Sequence, residues 1–188
     1  MREERSDEGF ALWFTGLPSS GKTTLSRQVE ALLRARGLKV EVLDGDEVRE
    51  NLSPTLGFTK EDRDLHIRRI AYVAKLLVRN GVIVIVAAIS PYRAARDQAR
   101  ATIGRFVEVY VHCPVEVCIE RDVKGLYRKA LAGMIPHFTG ISDPYEEPLQ
   151  PELIIHSHQE TPEESARRVI ARLEELGYLT HRSSAGFR

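Results

Sequence analysis

Gly16-Leu17-Pro18-Ser19-Ser20-Gly21-Lys22-Thr23 matches G-x-x-x-x-G-K-[ST] at every fixed position, with Thr24 following. These residue types at this spacing do phosphate chemistry. The glycines let the backbone curl so that successive N–H groups aim at one anion, at the positive end of a helix dipole. Lys22 is placed to reach the β- and γ-phosphates, and the Thr23 hydroxyl to bind Mg²⁺. The pattern calls for a nucleoside triphosphate with Mg²⁺. The alternative is a Gly/Ser turn with an exposed lysine. The flanks argue against it: residues 10–14 read as a buried strand. Residues 24–36 read as a helix, with Leu25, Val29, Leu32 and Leu33 at helical spacing.

Further chemistry sits where other strands end. Asp44-Gly45-Asp46 closes the second strand. Paired acids beside a phosphate loop suit a Mg²⁺ site at Asp44, with Asp46 accepting the proton of an attacking hydroxyl. Asp46 is equally placed to cap the helical stretch that follows it. The third strand ends in Ile89-Ser90-Pro91 without an aspartate, and no Asn-Lys-x-Asp occurs, so a GTPase switch is disfavoured. Ser90 either touches substrate or, more simply, caps the next helix. Arg63 falls on the apolar stripe of a long helix with Ile67, Ile70 and Ala74, and His66 lies at the stripe's edge. An arginine facing a core is costly unless it meets an anionic ligand or pairs with an acid such as Asp62 or Glu61. Arg121, Lys124, Arg128 and Lys129 form a basic cluster suited to a polyphosphate. Phe58 and Phe138 lie in glycine-containing loops. They either fill core or stack on a base.

Alternating strands and helices must position these groups. Strands are expected at 38–43, 82–88, 106–112 and 153–155 after the first, and helices at 60–79, from Ser90-Pro91, from Pro114 and from Thr161. Thr161-Pro162-Glu163-Glu164 is a capping-box start. The fold class is α/β: a parallel β-sheet sandwiched by helices, of the P-loop NTPase and nucleotide-kinase type. Residues 124–151 keep no sustained period yet hold aromatics and aliphatics, as a lid does. Residues 1–9 and 180–188 are expected to be flexible tails around one domain spanning 10–179.

The chain has 188 residues, 43% hydrophobic and 29% charged, with 27 basic and 27 acidic side chains. A net charge of zero gives no global attraction to nucleic acid or an anionic membrane. No apolar run is long enough to span a bilayer, and the charged start lacks a signal-peptide core. Cys113 and Cys118 read as reduced core residues, which points to the cytoplasm.

Taken together, these stretches resemble the adenylyl-sulfate kinase family from about residue 10 to residue 179. The likeness is carried by residues 16–24, Asp44-Gly45-Asp46 with Val48-Arg49, and Leu56-Gly57-Phe58 with Asp62-Arg63. Ile67-Arg68-Arg69-Ile70 and Ile89-Ser90-Pro91-Tyr92-Arg93 add to it. Lys124-Gly125-Leu126-Tyr127 and Phe138-Thr139-Gly140-Ile141 with Asp143-Pro144-Tyr145-Glu146 are the most specific. The resemblance implies transfer of the ATP γ-phosphoryl to the ribose 3′-hydroxyl of adenylyl sulfate. It implies substrate contacts from Arg49, Arg63, His66, Ile89 and Lys124, with Phe58 and Phe138 around the adenine. Asp46 would stand near the 3′-hydroxyl, Ser90 would be the serine phosphorylated in some members, and Arg121 an ATP-adenine contact. It admits a homodimer and coupling to a separate sulfate adenylyltransferase. The remaining alternatives are another P-loop small-molecule kinase and a non-catalytic ATP-binding module. Two features depart from the family: Leu-Pro-Ser-Ser replaces the common Leu-Ser-Gly-Ala, and His66 stands where asparagine is usual. Pro18 has no N–H, so phosphates should lean on residues 20–23. A histidine at 66 brings a charge that titrates near pH 6.5.

Overall fold

The computed structural model describes residues 8–180. Five parallel strands form one sheet in the order β2-β3-β1-β4-β5. They are β1 (Ala11–Thr15), β2 (Val40–Asp44), β3 (Ile83–Ala87), β4 (Phe106–His112) and β5 (Leu153–His156). The helices are α1 (Lys22–Ala35), α2 (Gly45–Leu52), α3 (Lys60–Val78), α4 (Arg93–Ile103), α5 (Val115–Arg121), α6 (Leu126–Leu131) and α7 (Pro162–Glu175).

The apolar runs of β1 and β3 are continuous because both faces of the sheet are covered. Alternate side chains nonetheless serve different cores. Phe10, Leu12 and Phe14 point with Ile83 and Ile85 towards the stripes of α1 and α7. Ala11 and Trp13 point with Val84 and Val86 towards α3 and α4. Sheet order reverses around β1, so the crevice for a ligand opens beyond the carboxyl ends of β1 and its neighbours.

Local signals hold where they are strongest. Thr161 and Glu164 make the full capping box of α7, and Thr59 caps α3 by accepting from the Asp62 N–H. Three expectations are corrected. The cap of α2 is Asp44, whose carboxylate accepts from the Asp46 N–H at 3.0 Å, so Asp46 lies inside the first turn. Helix α4 starts at Arg93 with Tyr92 as its cap residue, leaving Ser90-Pro91 outside it. The aperiodic stretch 124–151 contains α6, and its Tyr127, Ala130 and Phe138 pack with Cys113 and Cys118 in a satellite core.

Of the expected tails, residues 1–7 and 181–188 lie outside the described residues. Gly9 does not behave as a tail. It is buried, and a Cβ there would stand 2.3 Å from the Val82 carbonyl oxygen and 2.6 Å from that of Val78. Gly9→Ala is therefore expected to cost about 1–3 kcal/mol, as overpacking against backbone does. Denaturant midpoints measure it, and an unchanged midpoint would show that the N-terminal backbone moves aside freely.

Candidate active site

The phosphate loop leaves β1 under a tight constraint. A Cβ on Gly16 would lie 2.4 Å from the Val111 carbonyl oxygen of β4, so only glycine passes there. Gly21 precedes α1 at φ 101 and offers no side-chain cap, leaving the first-turn N–H groups of a 14-residue helix open to an anion. Ser19 adopts φ 59 to close the turn. Pro18 lacks an N–H, but its carbonyl accepts the Tyr127 hydroxyl at 2.9 Å, which ties the loop to the satellite core. The Ser20 N–H is turned onto the Leu17 carbonyl at 3.2 Å, and the Ser20 carbonyl accepts the Ser157 hydroxyl at 2.6 Å.

Lys22 is buried. Its Nζ donates to the carbonyls of Gly16 at 2.9 Å and Leu17 at 2.6 Å. Burial lowers its pKa to about 8, against the pull of Asp46 and Asp44. The Thr23 hydroxyl donates to Asp44 Oδ2 at 3.0 Å, while Thr24 is exposed. Asp44 thus serves the loop and the cap of α2 at once. Asp46 and Lys124 form an ion pair across the mouth, with their side chains 72% and 63% exposed. An ion pair that exposed is weak and is readily exchanged for a ligand. Arg121 donates to the Ser157 carbonyl at 2.8 Å and reaches within 4.0 Å of a Cβ built on Gly21, beside the loop. Arg128 and Lys129 are exposed.

A second group is brought together by α2, α3 and their connection. Arg49 donates to the Gly57 carbonyl at 2.9 Å, and its guanidinium lies 4.7 Å from the centroid of the Phe58 ring. Arg63 is 8% exposed and sits 5.4 Å from the same ring. It pairs with neither Asp62 nor Glu61. Instead it donates to the Phe58 carbonyl at 3.0 Å and the His137 carbonyl at 2.5 Å, stitching this connection to segment 124–151. Phe58 remains 49% exposed. Phe138 is 7% exposed and packs edge-on against Tyr127 at 5.0 Å, so it fills core and offers no free face to a base.

Two further expectations are corrected. Ser90 is 2% exposed at φ 42. Its hydroxyl accepts the Trp13 indole N–H at 3.0 Å, and its carbonyl accepts Arg96 at 2.6 Å. It neither caps α4 nor presents a hydroxyl for phosphorylation. Ser90→Ala is expected to keep kcat within about threefold of wild type, because the loss is two hydrogen bonds in the wall, from the Trp13 indole N–H and to the Ala88 carbonyl. Steady-state rates check this, and a hundredfold loss would restore a chemical role. His66 is buried with both ring nitrogens engaged by protein, and burial, aided by Arg49, depresses its pKa to about 4. The expected charge near pH 6.5 is absent.

The sequence reading missed Thr15, Tyr145 and Arg96. Thr15 donates to the Ile89 carbonyl at 2.7 Å and meets the Tyr145 hydroxyl at 2.8 Å. Arg96 donates to the Glu146 carbonyl at 2.6 Å. These contacts pin the end of segment 124–151 over β1 and β3. Of the three, only Tyr145 carries a sequence signal, in the Asp143-Pro144-Tyr145-Glu146 motif.

The protein-family model for adenylylsulphate kinase matches residues 8–156. The chain belongs to the adenylylsulphate kinase family. An adenylyl-sulfate kinase of Rippkaea orientalis is 60% identical over 172 residues, covering 92% of this chain and 95% of the relative. A probable bifunctional SAT/APS kinase of Sorangium cellulosum is 59% identical over 177 residues, covering 94% of this chain. The chain spans 30% of that longer relative. The APS kinase CysC of Mycobacterium tuberculosis, solved in complex with AMPPNP and APS, superposes with a TM-score of 0.86 at 43% identity, covering 89% of this chain and 98% of that one. Membership of this family accounts for the phosphate loop, the acids beyond β2 and the Lys124 and Phe138 motifs occurring in one chain. Among the described residues no helix is long and apolar enough to cross a membrane.

Proposed function

We propose that the protein transfers the γ-phosphoryl of ATP to the ribose 3′-hydroxyl of adenylyl sulfate, giving 3′-phosphoadenylyl sulfate. The observation that carries this reading is the Asp46–Lys124 pair standing across the mouth from the uncapped start of α1. It places a carboxylate and an exposed cation beside the phosphate loop, as phosphoryl transfer to a hydroxyl requires. The 43% identity to a kinase solved with AMPPNP and APS supports the same pair of ligands here.

In this reading the loop of residues 16–24, through its free amides at the start of α1, and Lys22 hold the triphosphate, with Arg121 against its base. Thr23 and Asp44 fit Mg²⁺, because a hydroxyl and a carboxylate oxygen 3.0 Å apart are hard donors that leave room for water and phosphate oxygens. Bound there, Mg²⁺ supplies neutralisation of the phosphate charge. Asp46 takes the proton of the 3′-hydroxyl once Lys124 turns to the ligand. Arg49, Arg63 and the open face of Phe58 receive the acceptor nucleotide, with the Ile89 backbone at its floor. Residues 124–151 act as a lid that excludes water and limits ATP hydrolysis. We place the enzyme in the cytoplasm, in keeping with two free, buried cysteines. Coupling to a sulfate adenylyltransferase is supported by the bifunctional SAT/APS relative, and a homodimer by the family resemblance.

The deciding experiment is ADP release with a panel of hydroxyl acceptors and identification of the product by mass. Adenylyl sulfate is expected to give a product heavier by one phosphoryl. ADP release with another acceptor and none with adenylyl sulfate would overturn the assignment.

A further inference from the structure

Helix α2 carries Asp46 and Arg49, yet it buries only Val48. One apolar side chain is too little to fix an eight-residue helix, whose stability comes from packing rather than propensity. Polar contacts from α3 hold it instead. His66 Nε2 meets the carbonyl oxygen of Gly45, the first residue of α2, at 3.1 Å. His66 Nδ1 meets the hydroxyl of Ser53, the residue that caps the other end, at 3.0 Å. One turn further along α3, Arg69 donates to the Leu52 carbonyl at 2.6 Å and to Ser53 Oγ at 3.2 Å. Ser53 is fully buried and His66 5% exposed.

The bonds run in one direction. Arg69 donates to Ser53 Oγ, the Ser53 hydroxyl donates to His66 Nδ1, and His66 Nε2–H donates to Gly45 O. A neutral ring protonated on Nε2 completes that chain, whereas an imidazolium would take away the acceptor at Nδ1 and leave the Ser53 hydroxyl hydrogen without it. The charged groups around the ring are Arg49, Arg69 and Asp46. A cationic guanidinium at the carboxyl end of α2 also suits the helix dipole.

We propose that His66 is a positioning residue that grips α2 at both ends and thereby sets where Asp46 and Arg49 stand, without touching the acceptor nucleotide. The meaning given to Asp46 and Arg49 rests on the proposed function; the grip itself does not. Both nitrogens are spent on the protein, so acceptor recognition falls to Arg49, Arg63 and Phe58.

The test uses His66→Ala, His66→Gln, Ser53→Ala and the double variant His66→Ala/Ser53→Ala. Glutamine puts an amide nitrogen as far out as Nε2 and so can retain the Gly45 contact. Amide hydrogen exchange of residues 45–53 in the free protein is expected to rise about tenfold in His66→Ala and Ser53→Ala, with α1 unchanged. The KM for adenylyl sulfate should rise about tenfold in His66→Ala while that for ATP stays level, and His66→Gln should recover most of the loss. The double variant should be no worse than the more damaged single one, since both residues act through one helix. Unchanged exchange in α2, or additive losses in the double variant, would overturn the proposal. So would a wild-type acceptor KM that falls between pH 7 and 5 and loses that limb in His66→Gln, because it would mark a titrating contact with the anionic substrate. If His66→Ala does not fold, Ser53→Ala and His66→Gln still report on the two ends separately. If the wild-type protein does not use adenylyl sulfate, the functional reading fails while the exchange measurement still judges the grip.

Discussion

Lys22→Met is expected to abolish phosphoryl transfer, lowering kcat by about a thousandfold, the scale for removing a group aimed at developing charge in a water-poor site. In the free protein the Lys22 ammonium rests on the Gly16 and Leu17 carbonyls. A triphosphate in the loop offers a full charge in place of two dipoles, so the ammonium is poised to turn to it. Methionine keeps the length and the buried apolar stem, so the fold should survive and the loss should report the charge. Thermal unfolding within a few degrees of wild type checks that. Activity within tenfold of wild type would remove Lys22 from the chemistry. Burial holds the Lys22 pKa at about 8 rather than 10.5, with the neighbouring Asp46 and Asp44 limiting the drop. The affinity of the free enzyme for ATP should therefore fall as pH rises through about 8, and Lys22→Met should lack this limb. The sign for stability is opposite. Between about 8 and 10.5 the folded state binds fewer protons than the unfolded chain, so the cost of burying this cation is full at neutral pH and relieved as pH rises.

Asp46→Asn is expected to lower kcat by about a hundred- to a thousandfold with ATP binding retained, the range for loss of a general base. The substitution is clean because the Asp46 side chain does not build the fold. The cap of α2 is the Asp44 carboxylate on the Asp46 N–H, which asparagine keeps. The Asp46 carboxylate is largely exposed, and Lys124 is its ion-pair partner. Single-turnover rates with saturating ATP separate chemistry from binding. A rate within tenfold of wild type would leave Asp46 as an electrostatic partner of Lys124 alone. Asp44→Asn makes a useful contrast. It removes the carboxylate oxygen that accepts from Thr23 while its amide oxygen keeps the cap, so it should raise the requirement for Mg²⁺ as well as slow the reaction.

How much could be read beforehand depended on the range of the interaction. The strand-loop-helix around residues 10–36 was legible because hydrophobic period, glycine positions and the motif agree within one short window. The capping box of α7 was legible for the same reason. Asp44 reads as a metal ligand and Asp46 as the proton acceptor or, alternatively, the cap of the next helix; the structure gives the cap to Asp44. Spacing of two residues cannot tell which of two aspartates turns back onto the backbone. Segment 124–151 was legible as unusual but not as a core. The Tyr127–Phe138 packing and the Tyr127–Pro18 bond join positions with no common period.

The residues by themselves determined a phosphate loop in an α/β sheet and the family that carries it. Those signals are local, or lie in motifs whose wording is short and contiguous. The tertiary structure alone decided which polar side chains face the ligand and which are spent on the protein. Trp13 and Ser90 are 77 positions apart, and their bond seals a hydroxyl that looked chemical. Arg63 reaches a carbonyl 74 positions away, and His66 closes on both ends of another helix. A donor's partner is set by which elements pack side by side, and packing brings together positions that no window along the chain contains.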